Sequence, residues 1–362
     1  MTAAPTRRVW LDWVRGLAVI IMVLSHVVDA WTRDADRTRT AFYWSTFVGG
    51  IAAPAFLFLA GLGTSLSGTA KLRAGLSRAS ATRALLRRGW IIFGLAFLFR
   101  LQSFVLGLGA PVGLLKVDIL NVMGLSLVVG AALWGAAATT AGRVALASAA
   151  AGAVAMAAPL VRSAPGLDTL PSVLQWYLRP DGNHSNFTLF PWAAFAFAGM
   201  AVGAALGAIR DPRDERRLLL TLAVLAGAGT AAAYWASLQP TIYPPGASAF
   251  WGASPTFFAI RLGFTVALLP LMWALRRRMP AWLGAALATL GAASLFAYWV
   301  HVELVYGGIA ILIKRRLPLE LSLVATVAAS YGLVRLIPRA RVWVTELDRR
   351  PVVLKRLAAK LL

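Results

Sequence analysis

Apolar stretches of about 20 residues recur from one end of the chain to the other, and they govern what it can fold into. Each is long enough to cross a bilayer core of about 30 Å. The expected fold is therefore all-α, a polytopic membrane helical bundle of about ten transmembrane helices with both termini cytoplasmic. The spans fall at 9–30, 41–68, 89–108, 119–138, 144–161, 189–209, 218–238, 256–275, 291–313 and 319–338. Segment 281–290 is expected as a short interfacial helix leading into the ninth span. Composition agrees: 59% of the 362 residues are apolar and 14% are charged, against about 45–50% and about 25% in soluble domains. The organisation read from this is a transmembrane domain over 1–338 and a basic amphipathic cytoplasmic tail over 339–362. The tail suits the interface of an anionic inner leaflet. Arg7-Arg8 and the apolar run after them resemble a signal peptide, but Asp12 and Arg15 interrupt the run, which reads as an uncleaved anchor.

The 36 Lys and Arg residues exceed the 14 Asp and Glu, giving a formal charge of +22. A soluble protein so basic would suggest a nucleic-acid partner. In a membrane protein the excess reports orientation instead, and no nucleic-acid partner is expected. With the amino terminus inside, 23 basic residues fall in cytoplasmic segments, 9 in outer loops and 4 within spans, as the positive-inside rule requires. Lys314-Arg315-Arg316 is the outlier, lying outside in this scheme. The absence of cysteine excludes a disulfide, a catalytic thiol and a thiolate metal site. With only His26, His184 and His301 in the chain, no metal is expected. The outer loop 162–188, with Trp176, Tyr177, Asp181 and His184, and the loop 239–255, with Pro245 and Trp251, either roof a cavity or belong to an interfacial aromatic belt. Phe56-Leu57-Phe58-Leu59-Ala60-Gly61 and Phe195-Ala196-Phe197-Ala198-Gly199 are alike, but small residues beside aromatics are ordinary packing chemistry between membrane helices.

Ionisable groups inside a membrane are costly and mark functional positions by default. The first span holds four: Asp12, Arg15, His26 and Asp29. At 100° per residue Arg15 and His26 differ in direction by about 20°, and all four groups share an arc of about 100°. They form one polar stripe, with Arg15 and His26 roughly 16 Å apart along the axis. The bland alternative is a snorkelling Arg at one end and a capping His at the other. In the ninth span Ser294, Tyr298 and His301 lie within about 60° of one another, where His301 serves either a site or a hydrogen bond between helices. Arg100 and Arg261 are cations within spans and need anionic partners. Asp118 and Asn121 are nearest in depth to Arg100, as counter-ions or as part of a site. The chemistry such a set supports is acyl transfer. A neutral His26 removes a proton from a hydroxyl or amine, Asp29 orients it, and arginines bind the phosphates of a coenzyme A donor.

Leu11-Asp12-Trp13-Val14-Arg15-Gly16-Leu17-Ala18, followed by Met22 and His26, resembles the opening of the transmembrane acyltransferase superfamily. Within it the chain is most similar to bacterial relatives of the heparan-α-glucosaminide N-acetyltransferase catalytic domain. The spacing Arg15-x10-His26 also resembles the Arg-x10-His signature of the third acyltransferase family. Further likenesses are Ala53 to Gly61, Asp118-Ile119-Leu120-Asn121-Val122-Met123-Gly124, and Gly291 to His301. The resemblance implies a ten-helix enzyme moving an acetyl or short acyl group from cytoplasmic acetyl-CoA to a sugar or glycan acceptor at the outer face. It implies for His26 the role of catalytic base or acyl-accepting residue, and for Arg15 a catalytic or coenzyme A-contacting one. The side-chain reading adds Asp29 as the catalytic partner of His26, and acyl-donor binding by Arg15, Arg100 and Arg261. Substrate contacts fall to Asp12, Asp118, Asn121, His184, Tyr298 and His301. Membrane lipids are further partners, a homodimer is allowed, and a bacterial inner (plasma) membrane suits the Ala- and Arg-rich composition. Two other readings stay open: a proton-coupled transporter or lipid flippase using the buried Arg, His and Asp as a relay, and a silent scaffold of an envelope complex.

Overall fold

The computed structural model describes residues 8–107, 111–244, 247 and 250–346. Arg7, Pro245 and the tail beyond 346 lie outside them. The described chain is helical, with isolated bridges in place of strands. It divides into two compact units, one formed by 1–53 with 268–362 and the other by 54–267. Among the described residues, eight helices are long and apolar enough to cross a membrane, or nine if one bent pair counts as a span. This is a multi-pass membrane protein.

The first unit contains α1 (Val9–Trp31), α2 (Thr40–Gly49), α11 (Ala281–Ala292), α12 (Ser294–Tyr306) and α13 (Leu319–Glu346). Val14, Ala18, Val19, Val23, Val27 and Val28 of α1 are at most 1% exposed. Two glycines let α11 meet the α1 backbone directly. A Cβ on Gly16 would lie 2.1 Å from the Leu287 carbonyl oxygen, and one on Gly291 would lie 1.9 Å from that of Asp12. Close backbone approach through small residues is how membrane helices gain packing energy without a hydrophobic drive. Segment 281–290, expected as a short interfacial helix leading into the ninth span, forms most of the short helix α11, which packs on α1. The ninth span is not continuous. Ala293 leaves the helical region (φ −118°, ψ 33°), and α11 and α12 meet at 85°. The α12 helix ends at Tyr306, followed by a short 3-10 turn.

The segment after that turn is tied to the end of α1 through backbone bonds from Arg315 to Ala30 and from Leu317 to Trp31. Arg315 also pairs with Asp34 at 2.8 Å. Lys314-Arg315-Arg316 thus sits at the same end as residues 31–36. Asp36 accepts from Arg33 and from the Leu319 N–H, fixing the start of α13. The expected tail begins as the last turns of α13, and its remainder lies outside the described residues.

The second unit contains α3 (Ala52–Arg73, from residue 54), α4 (Arg78–Gly107), α5 (Ile119–Ala136), α6 (Thr140–Ser163), α7 (Ser172–Leu178), α8 (Leu189–Ala208), α9 (Pro212–Ser237) and most of α10 (Pro255–Leu275). The third expected apolar stretch is the second half of α4. Here the alike phrases in α3 and α8 meet. A Cβ on Gly61 would lie 1.9 Å from the Ala196 oxygen, and one on Gly199 the same distance from the Phe58 oxygen. One turn on, Gly203 meets Leu62 while the Ser65 hydroxyl donates to the Met200 carbonyl at 2.8 Å. The separations Phe58 to Ala196, Gly61 to Gly199, Leu62 to Met200 and Ser65 to Gly203 are all 138 residues. Each contact is thus the mirror of another, which describes a parallel pair about a local two-fold axis. The next helices follow suit: Gly124 of α5 abuts Phe93 of α4, and Gly263 of α10 abuts Thr230 of α9. The order α3-α4-α5 recurs as α8-α9-α10, so the phrase likeness marks an internal repeat.

Candidate functional site

His26 lies one turn before the end of α1, and His301 in the middle of α12. The Nδ1 of His26 is 2.7 Å from Nε2 of His301. Their ring planes differ by 5° and their centroids are 5.0 Å apart. That separation equals the N–N distance plus two ring radii, so the imidazoles lie edge to edge in nearly one plane. The other nitrogen of His301, Nδ1, is 3.0 Å from the Ala297 carbonyl oxygen. Tyr306 packs edge-on against His26 at 5.5 Å, and Tyr298 against His301 at 5.6 Å. The Trp31 indole donates to the Val305 carbonyl at 3.0 Å, fastening α12 to the end of α1. His301 is fully enclosed (0% exposed), whereas His26 is half-buried.

The orienting partner expected for His26 was Asp29, and the structure gives that contact to His301. Asp29 faces outward at 62% side-chain exposure, with Arg37 at 3.5 Å. Arg37 also donates to the carbonyls of Asp29 and Thr32, so it satisfies the unpaired end of α1 and pairs with the Asp29 carboxylate. Toward the other end of α1, Arg15 donates to Asp12 at 3.2 Å. Asp12 is buried (5% exposed), while the Arg15 side chain keeps 29% exposure.

A second polar cluster lies in the other unit at the start of α5. Asp118 caps the helix by accepting from the N–H groups of Leu120 and Asn121, and the Asn121 side chain accepts in return from the Asp118 N–H. This reciprocal cap is worth about 0.5–2 kcal/mol. The Arg100 guanidinium lies 3.2 Å from the second Asp118 oxygen, an ionic contact without hydrogen-bond alignment. Burial raises the Asp118 carboxyl above the usual range, and Arg100 only partly opposes it. The Asn121 amide donates to the Tyr177 hydroxyl at 3.4 Å, and burial pushes that phenol up to about 12. The neighbouring loop joins through a backbone bond from Val117 to His184. The His184 ring stacks on Trp176 at 4.3 Å, with Asp181 3.1 Å from its Nδ1. A backbone N–H from Asn183, then the His184 contact, hold the Asp181 carboxyl below its usual range.

Of the residues singled out in the sequence, the fold brings together Asp12 with Arg15, His26 with His301 and Tyr298, and Arg100 with Asp118 and Asn121. It leaves Asp29 off His26, and places Arg261 (5% exposed) over the Phe257 ring at 5.2 Å. Sequence reasoning missed Tyr306 and Trp31, whose sole signal was an aromatic at each helix end, and it missed the pairing of the two histidines. Among the described residues no group of three or more His, Asp and Glu is placed to hold a metal ion.

The family model for heparan-alpha-glucosaminide N-acetyltransferase, catalytic, matches residues 7–240. No curated protein matches the chain.

Proposed function

The chain belongs to the heparan-alpha-glucosaminide N-acetyltransferase catalytic family, and we propose that it moves an acetyl or short acyl group from cytoplasmic acyl-CoA to a sugar or glycan hydroxyl or amine at the opposite face of a bacterial inner membrane. The observation that carries this reading is His26: an imidazole on the first helix of the matched segment, half-buried, with its Nδ1 engaged in the fold at 2.7 Å. A base so held takes the acceptor's proton as the acceptor attacks, an effect worth typically 10²–10⁴-fold. A coenzyme A thioester supplies the activated acyl carbon. Of the three arginines assigned to the donor, Arg100 is committed to Asp118 and Arg261 lies buried over Phe257. Arg15, part-exposed and hydrogen-bonded to Asp12, is the best suited to meet a phosphate, because a guanidinium fork binds phosphate through paired N–H groups.

The test is transfer of label from radiolabelled acetyl-CoA to an envelope glycan fraction by the purified chain in nanodiscs. His26→Ala is expected to lose activity by about 10²–10⁴-fold. Full activity in that variant overturns the assignment. Transport remains the second reading because two observations favour it: the parallel repeat α3-α4-α5 and α8-α9-α10, and the broken helix at Ala293, both features of transporter folds. Substrate-driven acidification of proteoliposomes without any acyl donor would establish it.

A further inference from the structure

We infer that His301 is a positioning residue that fixes the proton of His26 on Nδ1 and so leaves Nε2 of His26 bare as the basic atom. This deepens the acyl-transfer reading, and its catalytic meaning rests on that reading. His301 lies outside the matched segment 7–240, so the comparison assigns it nothing.

One group in the chain of contacts has a chemically fixed role. The Ala297 carbonyl can only accept, so the 3.0 Å contact to Nδ1 of His301 places a hydrogen on that nitrogen. A neutral imidazole carries one such hydrogen and is an acceptor at its other nitrogen, which makes Nε2 of His301 an acceptor. The nitrogen 2.7 Å away, Nδ1 of His26, must then donate. His26 in turn has its single hydrogen on Nδ1, and its Nε2 keeps the lone pair. Both rings are thus held in the Nδ1–H form, the less favoured tautomer of free histidine. The near-coplanar geometry aligns the N–H with the accepting lone pair. A bridging ion does not explain the contact: at Zn–N distances of about 2.0–2.1 Å and a tetrahedral angle, the nitrogens would stand about 3.3 Å apart.

In the serine-protease arrangement a carboxylate does this work, holding the imidazole tautomer and stabilising the imidazolium that forms. An imidazole acceptor performs the first task without placing a net charge in a membrane-spanning helix, which costs several kcal/mol. It serves the second as well. When the acceptor's O–H or N–H bond breaks and its proton arrives at Nε2 of His26, the Nδ1 hydrogen can pass to Nε2 of His301. The positive charge then rests on His301, whose Nδ1–H already points at a carbonyl. His301 is fully enclosed, so it acts through His26 and not on the substrate.

Selective ¹⁵N-histidine labelling of the full chain in nanodiscs tests this without donor or acceptor present. There are three histidines, and His184→Gln removes the one outside the pair. The expected spectrum has two rings with hydrogen on Nδ1 and a bare Nε2, with a through-hydrogen-bond N–N coupling linking His26 to His301. A hydrogen on Nε2 of either ring, or no coupling, overturns the inference while leaving the transferase reading intact. As a second measurement, His301→Phe keeps the ring volume and removes the acceptor. It is expected to return His26 to the Nε2–H form and to lower kcat by about 10²–10⁴-fold with KM near wild type. His301→Gln, whose carbonyl can accept from Nδ1–H, is expected to recover most of that loss. Unchanged kcat in His301→Phe, or equal losses in the two variants, overturns the inference.

Discussion

Replacing Gly16 by alanine tests whether the α1–α11 contact sets the geometry of the histidine pair. The added Cβ would lie 2.1 Å from the Leu287 carbonyl oxygen, and ordinary contact begins at 3.4 Å. The two backbones therefore have to separate by about 1.3 Å at that point, and the obstruction is main chain on both sides. Overpacking of this kind costs typically 1–3 kcal/mol. Because α12 follows α11 after one non-helical residue, part of the displacement reaches His301, and a misplacement of about 1 Å costs on the order of 10²-fold in rate. Gly16→Ala is expected to lower the unfolding midpoint in nanodiscs, followed by tryptophan fluorescence, and to cut acyl transfer by roughly 10-fold or more. Gly152→Ala is the control. That glycine lies in α6, and a methyl added there would have nothing within 4 Å, so the substitution is expected to be neutral or to stabilise by up to about 1 kcal/mol through helix propensity. Wild-type stability and activity in Gly16→Ala would refute the reasoning.

Other outcomes follow from the second unit and the ionic contacts. Gly61→Ala and Gly199→Ala are expected to destabilise by similar amounts, about 1–3 kcal/mol, since each methyl meets a carbonyl oxygen at 1.9 Å. A chain that tolerates one and not the other would argue against the two-fold pairing. Asp118 and Asp36 are expected to give opposite pH dependences. Burial raises the Asp118 carboxyl in the folded state, so the folded state binds the extra proton and stability falls as pH rises from the unfolded value to the raised one. Asp118→Asn should remove that slope. The Asp36 carboxyl is lowered by its hydrogen bond from Arg33, then by the Leu319 N–H. Its contribution is present above the unfolded value and is lost as pH falls through the folded one. Asp36→Asn should flatten the acid limb of the stability profile.

What could be read in the sequence and what could not divides along a physical line. The polar stripe on α1 was legible because helical periodicity is local: Asp12 and Arg15 are one turn apart, and they pair in the fold. Arg100 with Asp118 was legible from depth alone, since a cation within a span requires a counter-charge. Asp29 misled for the same reason that made it attractive. It stands one turn from His26, but nothing in the spacing shows that Arg37 takes the end of α1 and pairs with the carboxylate. Residues 281–290 were legible as a short helix but not for their partner α1, because Ala-Trp-Leu-Gly-Ala-Ala-Leu-Ala-Thr-Leu is apolar around its whole circumference, so its pattern names no preferred neighbour. The likeness between the α3 and α8 phrases became a repeat only when the reciprocal contacts of Gly61 and Gly199 were seen.

From its residues alone the chain was bound to be a helical membrane protein with ionisable groups on its first span, because run length and the 3.6-residue turn are properties of neighbours along the backbone. Which group completes His26 was decided by packing. His301 is 275 residues away, delivered by a helix that breaks at Ala293 and by glycines that let two backbones touch. Burial of apolar surface is non-directional, so an all-apolar helix records that it must be covered and not by what. The register that puts two imidazole nitrogens within hydrogen-bond distance exists only in the assembled fold.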